Sequence, residues 1–551
     1  MDRTDEFSDY YADLLDGTYD CVDRIVLNAY FSLGCTGGGM RMWWIRLHGS
    51  EARLDTTHLM RMAGNFSRRV QAFAAAHKVP LIFCKRGERK HELAVQYRPT
   101  DSNFTGLFLI LGSRAPGARW QVSRMKTGSP HLQRARPWPY VRHFTFHIID
   151  RQWGHVAIKI SAHPPFGAQI ALNGHDWVER LARTRGIELT KEENCFTDIA
   201  DAQALAQIAE ALDSPESIEQ LAEVCDRWIY STCLCLALRS DDQERSGFRY
   251  TYSVYQLEYS RNLLFQRGRD LDRIYQGLID RTRRCLDLKT VKTLFGCRRR
   301  PTLRRNGKGG GRFHITVERP TYDLTVWKIH FKRLTLKIYD KGARVLRIEA
   351  IAHNTKDLRC GTLLGQFAVL VKRLAAMVYR FLNVLHCVDA AFLDAGDLDA
   401  LPTPSRVGQR RLAGVDLDKP RMRAAVEAVI ALSVQPGGFC VADLAAKVRL
   451  MTGWNEREYG NRQASYDLQK IRGKQIVERL SHSRRYVHNA KGLQTVCALL
   501  TLREKVIKPV VTSVGQSRRG KRPPRPGTID HHYENLRKEM RCTFKTLGIA
   551  A

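Results

Sequence analysis

The sequence predicts a multidomain α+β protein with mixed and antiparallel sheets, helices, and a C-terminal winged helix-turn-helix. Three observations lead to this prediction. The chain has 551 residues, more than one domain usually holds. Hydrophobic residues make up 44% of it, which is enough to form buried cores. Segments that alternate with period two, as strands do, are interspersed with segments of helical period.

Changes in composition and segments rich in proline or glycine predict the domain boundaries. In chain order we expect an N-terminal α+β domain (1–130), a mixed β and then helical region (131–296), a basic glycine-rich loop (297–312), an antiparallel sheet with a helix (313–400), a linker (401–420), the winged helix-turn-helix (421–511), and a basic, proline-rich tail with a terminal helix (512–551). The sequence carries no signal for a particular oligomeric state.

The formal net charge of +33 predicts a polyanionic partner. Cationic side chains displace the counterions condensed on nucleic acid, and their release favours binding. We therefore expect DNA as the partner, with RNA as an alternative. A membrane is not expected as a partner, because no apolar run reaches the length of a spanning helix.

The expected location is the bacterial cytoplasm, in association with the nucleoid. The N-terminal segment MDRTDEFSDYY is acidic and polar, which is unlike a signal peptide. The 14 cysteines form no C-x-x-C pair, so zinc-finger spacing is absent and reduced thiols are expected.

An acidic segment interrupts this basic chain at residues 186–226, with 11 Asp or Glu and one Lys. Its helical periodicity favours an acidic, solvated helix face that points away from nucleic acid. The alternative is an intramolecular mask over a basic groove.

The region before the acidic segment contains a predicted helix and predicted strands. Residues 57–77 have helical periodicity, with Arg61 on the polar side. In the strand text WPYVRHFTFHIID, His143, Thr145 and His147 share one face by period two. Histidines on a strand are common ligands of divalent metals, so His143 and His147 are candidate metal ligands. The alternative is that they are ordinary hydrogen-bonded histidines.

Residues 227–295 look mainly helical. Tyr252, Tyr255 and Tyr259 recur at spacings of three and four, which would place them on one helical face. Such a stripe is typical of a core or an interface. It would also suit base stacking or supply a nucleophilic tyrosine.

A dense basic cluster follows at residues 297–312, with seven Arg or Lys between 298 and 312 and no acid. Like charges at this density do not pack, and its glycines disfavour a helix. We expect a loop that becomes ordered on phosphate. Its candidate nucleic-acid contacts are Arg298, Arg299, Arg300, Arg304 and Arg305.

Residues 313–355 predict successive antiparallel strands with separated polar and apolar faces. If the polar faces coincide, Lys337, Tyr339, Arg347 and Glu349 share one side, with Asp340 at the rim. Carboxylates beside cations can hold Mg²⁺ or another divalent metal together with a phosphate. The alternative is a half-exposed sheet with cross-strand ion pairs.

This segment resembles a strand pair in the rolling-circle replication initiators of plasmids and filamentous phages. Tyr339-Asp340-Lys341 followed by Leu346-Arg347-Ile348-Glu349 is similar to the Y-D-K…R-x-E pattern of their nicking domain. The resemblance covers about fifteen residues and implies a metal-assisted tyrosine nickase. Its candidate catalytic residues here are Tyr339, Asp340, Lys341, Arg347 and Glu349. The His-hydrophobe-His motif of those enzymes is missing from this chain.

Residues 421–508 predict the winged helix-turn-helix. Three helical segments are followed by two short strands, QIVERL and RRYVH, and a last helix. In the third helix Ala464, Leu468 and Ile471 form a core stripe. Residues from 461 to 511 include 11 Lys or Arg against 3 Asp or Glu. This layout resembles that of the MarR-like winged-helix regulators.

The polar side of the third helix supplies the predicted base contacts: Arg462, Gln463, Tyr466 and Lys470. Lys474, Arg484 and Arg485 are expected to contact phosphates. The whole chain also resembles a family of uncharacterised large basic bacterial proteins with a C-terminal winged helix.

Together these features predict a protein that binds duplex DNA in a mobile-element, replication or recombination context. One alternative is the metal-dependent nickase or replication initiator. The other is a non-enzymatic transcriptional regulator or an RNA-binding protein.

Overall fold

A twelve-stranded mixed sheet is the main feature of the computed structural model, which confirms the α+β prediction. The structure describes residues 5–389 and 400–503, except 86, 127, 276–277, 279–291, 295–312, 319–325, 332, 408–409, 436 and 481–482, together with 531, 535, 538 and 539. No helix within these described residues is long and apolar enough to cross a membrane.

The strands vary widely in length. They are β1 (Leu15–Phe31), β2 (Leu81–Phe83), β3 (Gly106–Pro116), β4 (Trp120–Arg124), β5 (Pro130–Arg134), β6 (Tyr140–Asp150), β7 (Gly154–Ser161), β8 (Ala168–Asn173), β9 (Leu189–Glu192), β10 (Cys195–Ile199), β11 (Tyr250–Phe265), β12 (Lys292–Leu294), β13 (Phe313–Glu318), β14 (Val326–Phe331), β15 (Leu334–Lys341), β16 (Val345–Ala352), β17 (Ser405–Val407), β18 (Arg410–Leu412), β19 (Val477–Arg479) and β20 (Tyr486–His488).

The α-helices connect and flank these strands. They are α1 (Glu6–Tyr10), α2 (Gly37–His48), α3 (Thr56–Ala76), α4 (Lys90–Gln96), α5 (Gly174–Thr184), α6 (Ala202–Glu210), α7 (Glu216–Trp228), α8 (Ser240–Ser246), α9 (Phe367–Asp389), α10 (Pro420–Ser433), α11 (Val441–Thr452), α12 (Asn461–Gly473) and α13 (Ala490–Leu502).

The chain divides into two units. The larger comprises residues 11–275 and 292–379 and contains the large sheet; the smaller comprises 1–10, 276–291 and 380–551. The strand order in the sheet is β12-β13-β14-β15-β16-β11-β1-β8-β7-β6-β3-β2. Neighbours are antiparallel except β2–β3 and β12–β13, which are parallel.

The long strands β1 and β11 form the middle of the sheet, and both of their faces are largely buried. Each face carries a buried ion pair. On one face the Asp20 carboxylate lies 3.0 Å from Arg261 Nη1 and accepts hydrogen bonds from the hydroxyls of Tyr259 and Tyr379. The other face carries the polar cluster described below. Central strands with buried charges need such partners, because unpaired buried charges are costly.

The helical prediction for the tyrosine-rich segment is wrong, since Tyr250–Phe265 is a strand. Its tyrosines therefore lie on both faces of the sheet, and Tyr255 is exposed whereas Tyr252 and Tyr259 are buried. The spacing of three and four fits a helix, but period-two alternation of polar residues at 256, 258, 260 and 262 fits a strand equally well. Pairing with β1 and β16 decides between them.

In the smaller unit α10, α11 and α12 pack against one another, and α10 also contacts β20 and α13. Residues Ala464, Leu468 and Ile471 of α12 are buried, as the core stripe predicts. Phe439 pairs with Tyr486 through two backbone hydrogen bonds, which adds a third extended segment to the β19–β20 hairpin. Gly438 has φ of 74°, and a Cβ there would lie 2.4 Å from the Tyr486 carbonyl oxygen, so this approach requires glycine.

Candidate functional site

Strand alternation gathers polar side chains on one side of the large sheet. Tyr339 of β15 lies opposite Arg347 of β16, and Lys337 lies opposite Glu349. The side chains that share this side are Asp23, Glu258, Ser260, Asn262, Lys337, Tyr339, Arg347 and Glu349, which we call the polar sheet face. The structure thus brings together four residues that the sequence placed on one side.

Arg347 is the centre of the polar sheet face and is fully buried. Its Nη2 lies 2.5 Å from Asp23 Oδ2, and its Nη1 donates to the Asn194 carbonyl oxygen at 2.8 Å and to Asn262 Oδ1 at 3.1 Å. Glu349 Oε1 is 3.6 Å from Nη2. Since both terminal nitrogens are occupied and no part is exposed, Arg347 positions other groups instead of contacting a ligand.

Asp23 links Arg347 to a buried histidine. His175 Nδ1 lies 2.8 Å from Asp23 Oδ1, and Ser260 Oγ donates to the same oxygen at 3.1 Å. Burial by itself would raise the pKa of Asp23, but Arg347 and His175 outweigh it and hold this pKa below its ordinary value. Asp23 is therefore a carboxylate held in place by the Arg347 guanidinium and by its contact with the His175 ring.

Cys21, Asp23 and His175 are the only three described residues of metal-ligating type whose ligand atoms all lie within 4.8 Å of one another. Their sulfur, oxygen and nitrogen donors fit a zinc-like ion better than Mg²⁺, which prefers oxygen. Burial and the neighbouring Asp23 raise the pKa of Cys21 well above its ordinary value, so its thiol is protonated unless a metal displaces the proton.

The polar sheet face opens toward solvent at Lys337. The Lys337 side chain is 25% exposed and its Nζ donates to Glu349 Oε2 at 2.7 Å, while Glu349 is buried. Glu258 lies beside Glu349, and Gln256 Nε2 donates to Glu258 Oε1 at 2.7 Å. Burial, followed by the charges of Glu349 and Asp23, raises the pKa of Glu258 to about 7.

Glu258 is the residue that the sequence reasoning missed. The helical interpretation of this segment drew attention to its tyrosines, whereas the polar alternation 256, 258, 260, 262 was the signal for one strand face. Two oxygen donors from Glu258 and Glu349 fit a hard divalent cation such as Mg²⁺, which commonly binds one or two carboxylates together with a substrate phosphate.

Asp340 and Lys341 are separated from this opening. Asp340 lies on the opposite side of β15, by alternation, and its buried Oδ1 has no hydrogen-bond partner within the described part of the chain. Burial raises its pKa. Lys341 Nζ donates to Glu193 Oε2 and to Asn194 Oδ1, each at 2.8 Å. The structure therefore does not bring Asp340 and Glu349 together as a carboxylate pair.

The acidic segment 186–226 contacts the β15–β16 hairpin through its β9–β10 hairpin. Besides the Glu193–Lys341 pair, Asp198 Oδ1 lies 3.4 Å from Arg344 Nη2, and the Asn194 carbonyl accepts from Arg347. At these positions the acidic segment lies against basic residues of the sheet instead of pointing away from them.

His143 and His147 lie on the same face of β6, as period two predicts, but four positions apart, which is about 13 Å along a strand. Both are buried, and burial lowers their pKa values to about 4 and about 3. His143 Nδ1 contacts the Val141 carbonyl at 3.2 Å, whereas His147 Nδ1 lies 3.0 Å from His155 Nε2. The structure thus pairs His147 with His155 and not with His143.

The second candidate site is the outer side of α12. Arg462 and Tyr466 are exposed, and Lys470 Nζ lies 4.6 Å from the centroid of the Tyr466 ring, in cation–π geometry. Gln463 Oε1 accepts from the backbone N–H of Gly460 at 3.2 Å, so this side chain caps the helix. Of the four predicted base contacts, Arg462 and Tyr466 are the most accessible.

The three residues that were expected to contact phosphate differ in their environments. Lys474 Nζ donates to the Ala400 carbonyl at 2.6 Å and to Thr403 Oγ1 at 3.1 Å. Arg485 donates to the carbonyl oxygens of Gly437 and Gly438. Only Arg484 is exposed. The basic loop residues Arg298, Arg299, Arg300, Arg304 and Arg305 lie outside the described residues.

Comparison with known proteins was made at three levels. No protein-family model matches the chain, and no curated protein or solved structure matches it significantly.

Proposed function

We propose that this chain binds duplex DNA through residues 420–502. The observation that carries this proposal is the division of α12 into a buried and an exposed side. Ala464, Leu468 and Ile471 face the core, while Arg462 and Tyr466 face outward. On an exposed helix face, an arginine supplies a bidentate hydrogen-bond donor for guanine. An aromatic residue supplies a stacking contact or a contact with the methyl group of thymine.

The order of elements supports a winged helix as the reading module. Helices α10, α11 and α12 are followed by the β19–β20 hairpin and α13, and the Phe439–Tyr486 bridge lies beside the hairpin. In such a module the third helix enters the major groove and the hairpin tip lies on the backbone. The exposure of Arg484, between β19 and β20, supports that phosphate contact.

The internal contacts of α12 support its role as a rigid element. Asp467, on the buried side, accepts a hydrogen bond from Arg421 Nη2 at 2.9 Å and from the Tyr459 hydroxyl at 3.1 Å. These bonds tie α12 to α10 and to the segment before it. A helix whose orientation is held in this way presents Arg462 at a defined angle, which base recognition requires.

Fluorescence anisotropy with labelled duplexes, single-stranded DNA and RNA at several salt concentrations tests this proposal. Arg462→Ala should lower the affinity for a selected duplex by about 1–3 kcal/mol and reduce sequence preference at one position. Arg484→Ala should weaken all duplexes alike and reduce the salt slope by about 1. Lys474→Ala is the matched control, because its ammonium group is bound within the protein.

Three outcomes contradict this proposal. Wild-type protein without affinity for duplex at low salt would exclude it, and equal effects of Arg462→Ala and Lys474→Ala would remove α12 as the reading helix. Preference for single-stranded RNA over duplex DNA would favour the RNA-binding alternative. Sequence-specific binding without any cleavage would favour a transcriptional regulator.

We propose phosphodiester cleavage as a second candidate function, because the polar sheet face combines Tyr339 with two carboxylates and Lys337. In this reaction the Tyr339 oxygen attacks the phosphorus, the bond to the leaving sugar oxygen breaks, and the tyrosyl proton ends on that oxygen. A Mg²⁺ ion at Glu258 and Glu349 would stabilise the charge that develops on the phosphoryl oxygens. Lys337 Nζ, which donates to Glu349 Oε2 at 2.7 Å, would add a positive charge for the same phosphoryl oxygens.

A supercoiled-plasmid assay with Mg²⁺ tests this candidate. We expect nicked circles with wild-type protein and loss of nicking in Glu258→Gln, Glu349→Ala and Tyr339→Phe. Asp340→Asn should nick like the wild type, because Asp340 lies on the opposite side of β15. If Glu349→Ala nicks at the wild-type rate while binding is unchanged, the enzymatic candidate is excluded.

A further inference from the structure

A cavity of about 400 Å³ lies between the end of α2 and the first half of α3, on the larger unit. This volume falls within the range of small-molecule sites, roughly 300–1,000 Å³. Its lining combines aromatic and basic side chains, Trp44, His48, Arg53, His58 and Arg61, with the amide of Asn65. None of these residues belongs to the polar sheet face or to the C-terminal module.

Trp44 lines the cavity and has an unsatisfied hydrogen-bond donor. The residue is 2% exposed, and its indole Nε1 has no hydrogen-bond partner among the described residues. An indole N–H only donates, and leaving a buried donor unpaired costs about 1–3 kcal/mol. An acceptor oxygen in the cavity would remove this cost.

Two exposed arginines of the lining have no recorded acid partner among the described residues. Arg53 and Arg61 form no ion pair, whereas the nearby Arg41 is paired with Glu51. The one carboxylate at the start of α3, Asp55, is held by His58 through both the backbone N–H at 2.7 Å and the ring Nδ1 at 2.9 Å. The cavity therefore carries two guanidinium groups that no described carboxylate pairs with.

His48 completes the wall beside the indole. Its ring lies 4.2 Å from that of Trp44 between centroids, and burial lowers its pKa below the ordinary value. Histidine in this state is neutral at pH 7 and presents a flat ring with both a donor and an acceptor nitrogen. One side of the cavity is therefore aromatic, and the other is cationic.

We propose that this cavity binds the phosphate group of a nucleotide. Its oxygens accept from the Trp44 indole and from the guanidinium groups of Arg53 and Arg61, which match phosphate geometry. The sugar or base would lie along the His48 ring. Two sources carry this chemistry, a free mononucleotide and the phosphorylated end of a nucleic-acid strand.

Isothermal titration calorimetry on the full chain tests the proposal with three probes: inorganic phosphate, a deoxynucleoside 5′-monophosphate, and a short single strand with or without a 5′-phosphate. Tighter binding of the monophosphate than of inorganic phosphate identifies a free nucleotide as the ligand. A strand end is identified as the ligand if the 5′-phosphorylated strand binds more tightly than inorganic phosphate and the monophosphate do. It must also bind more tightly than the same strand with a 5′-hydroxyl. Absence of binding by every phosphate probe at millimolar concentration overturns the proposal.

Matched variants separate the cavity from general charge attraction. The double variant Arg53→Ala/Arg61→Ala should weaken the best phosphate probe at least tenfold, and Trp44→Phe should weaken it several-fold while circular dichroism stays unchanged. Arg46→Ala removes an exposed arginine of α2 outside the lining and should bind like the wild type. Equal effects of Arg46→Ala and the double variant would overturn the assignment.

Discussion

Arg347 in the larger unit and Arg462 and Arg484 in the smaller unit have opposite environments. In the larger unit Arg347 is fully buried and its terminal nitrogens are bound to Asp23, Asn194 and Asn262. In the smaller unit Arg462 and Arg484 are exposed. The comparison teaches that a high positive charge does not by itself locate a nucleic-acid surface, because part of that charge supports the fold.

The largest effect is expected for Arg347→Met. Removing this side chain leaves the Asp23 carboxylate buried without its main cation, which typically costs about 3–5 kcal/mol. We expect the unfolding transition of the larger unit to move to lower urea concentration, as followed by tryptophan fluorescence. Arg484→Ala should change stability by less than about 0.5 kcal/mol. Equal midpoints for the two variants would contradict the structural role of Arg347.

A smaller change in folding stability, spread over several residues, is expected when the pH is lowered. Burial lowers the pKa values of His143, His155 and His163 to about 4 and that of His147 to about 3. Because the unfolded chain takes up these protons near the ordinary pKa of about 6.5, stability is present above that pH and is lost progressively as pH falls toward 4.

Three carboxyls act in the opposite direction, because burial raises the pKa of Glu258 to about 7 and also raises the pKa values of Asp340 and Asp467, but the four histidines outnumber them. Urea unfolding at pH 7.5, 6 and 5 measures this dependence. A shallower decline in His147→Phe than in the wild type is the expected result, and stability that rises on acidification would contradict the prediction.

The smallest stability effect is expected at the hairpin of the smaller unit. Arg485→Ala removes the hydrogen bonds to the Gly437 and Gly438 carbonyls, which should cost about 1–3 kcal/mol. Its neighbour Arg484 is exposed, makes no such bond to the described residues, and serves as the comparison. We expect Arg485→Ala to lower the thermal midpoint of this unit and Arg484→Ala to lower only DNA affinity. If Arg484→Ala lowered the thermal midpoint and Arg485→Ala lowered only DNA affinity, Arg484 would be the structural residue and Arg485 the DNA contact.

The parts of the fold that the sequence predicted correctly are those in which local pattern and tertiary packing agree. Alternation in residues 334–350 identified β15 and β16 and the shared side of Lys337, Tyr339, Arg347 and Glu349. Helical period in residues 57–77 identified α3, and the apolar stripe of α12 identified its buried side.

The remaining features depend on contacts between distant parts of the chain. Nothing local indicates that Asp23 meets Arg347, because 324 positions separate them. The same holds for His175, which is a partner of Asp23 only after β8 has paired with β1. For Lys474 and Arg485 the residue type indicated an exposed cation, but nearby carbonyl groups bind both. Sequence identifies charged residues more readily than it identifies their partners.

The central position of β1 has a consequence for biosynthesis. This strand leaves the ribosome before its neighbour β11. Asp20 can therefore bond to Tyr259 only after a further 239 positions have been translated. At about 5–20 residues per second, that interval lasts roughly ten to fifty seconds. During this time the nascent chain exposes a long unpaired strand edge that carries two acids destined for burial. Translation intermediates that end before β11 are therefore the species in which chaperone binding and aggregation should concentrate.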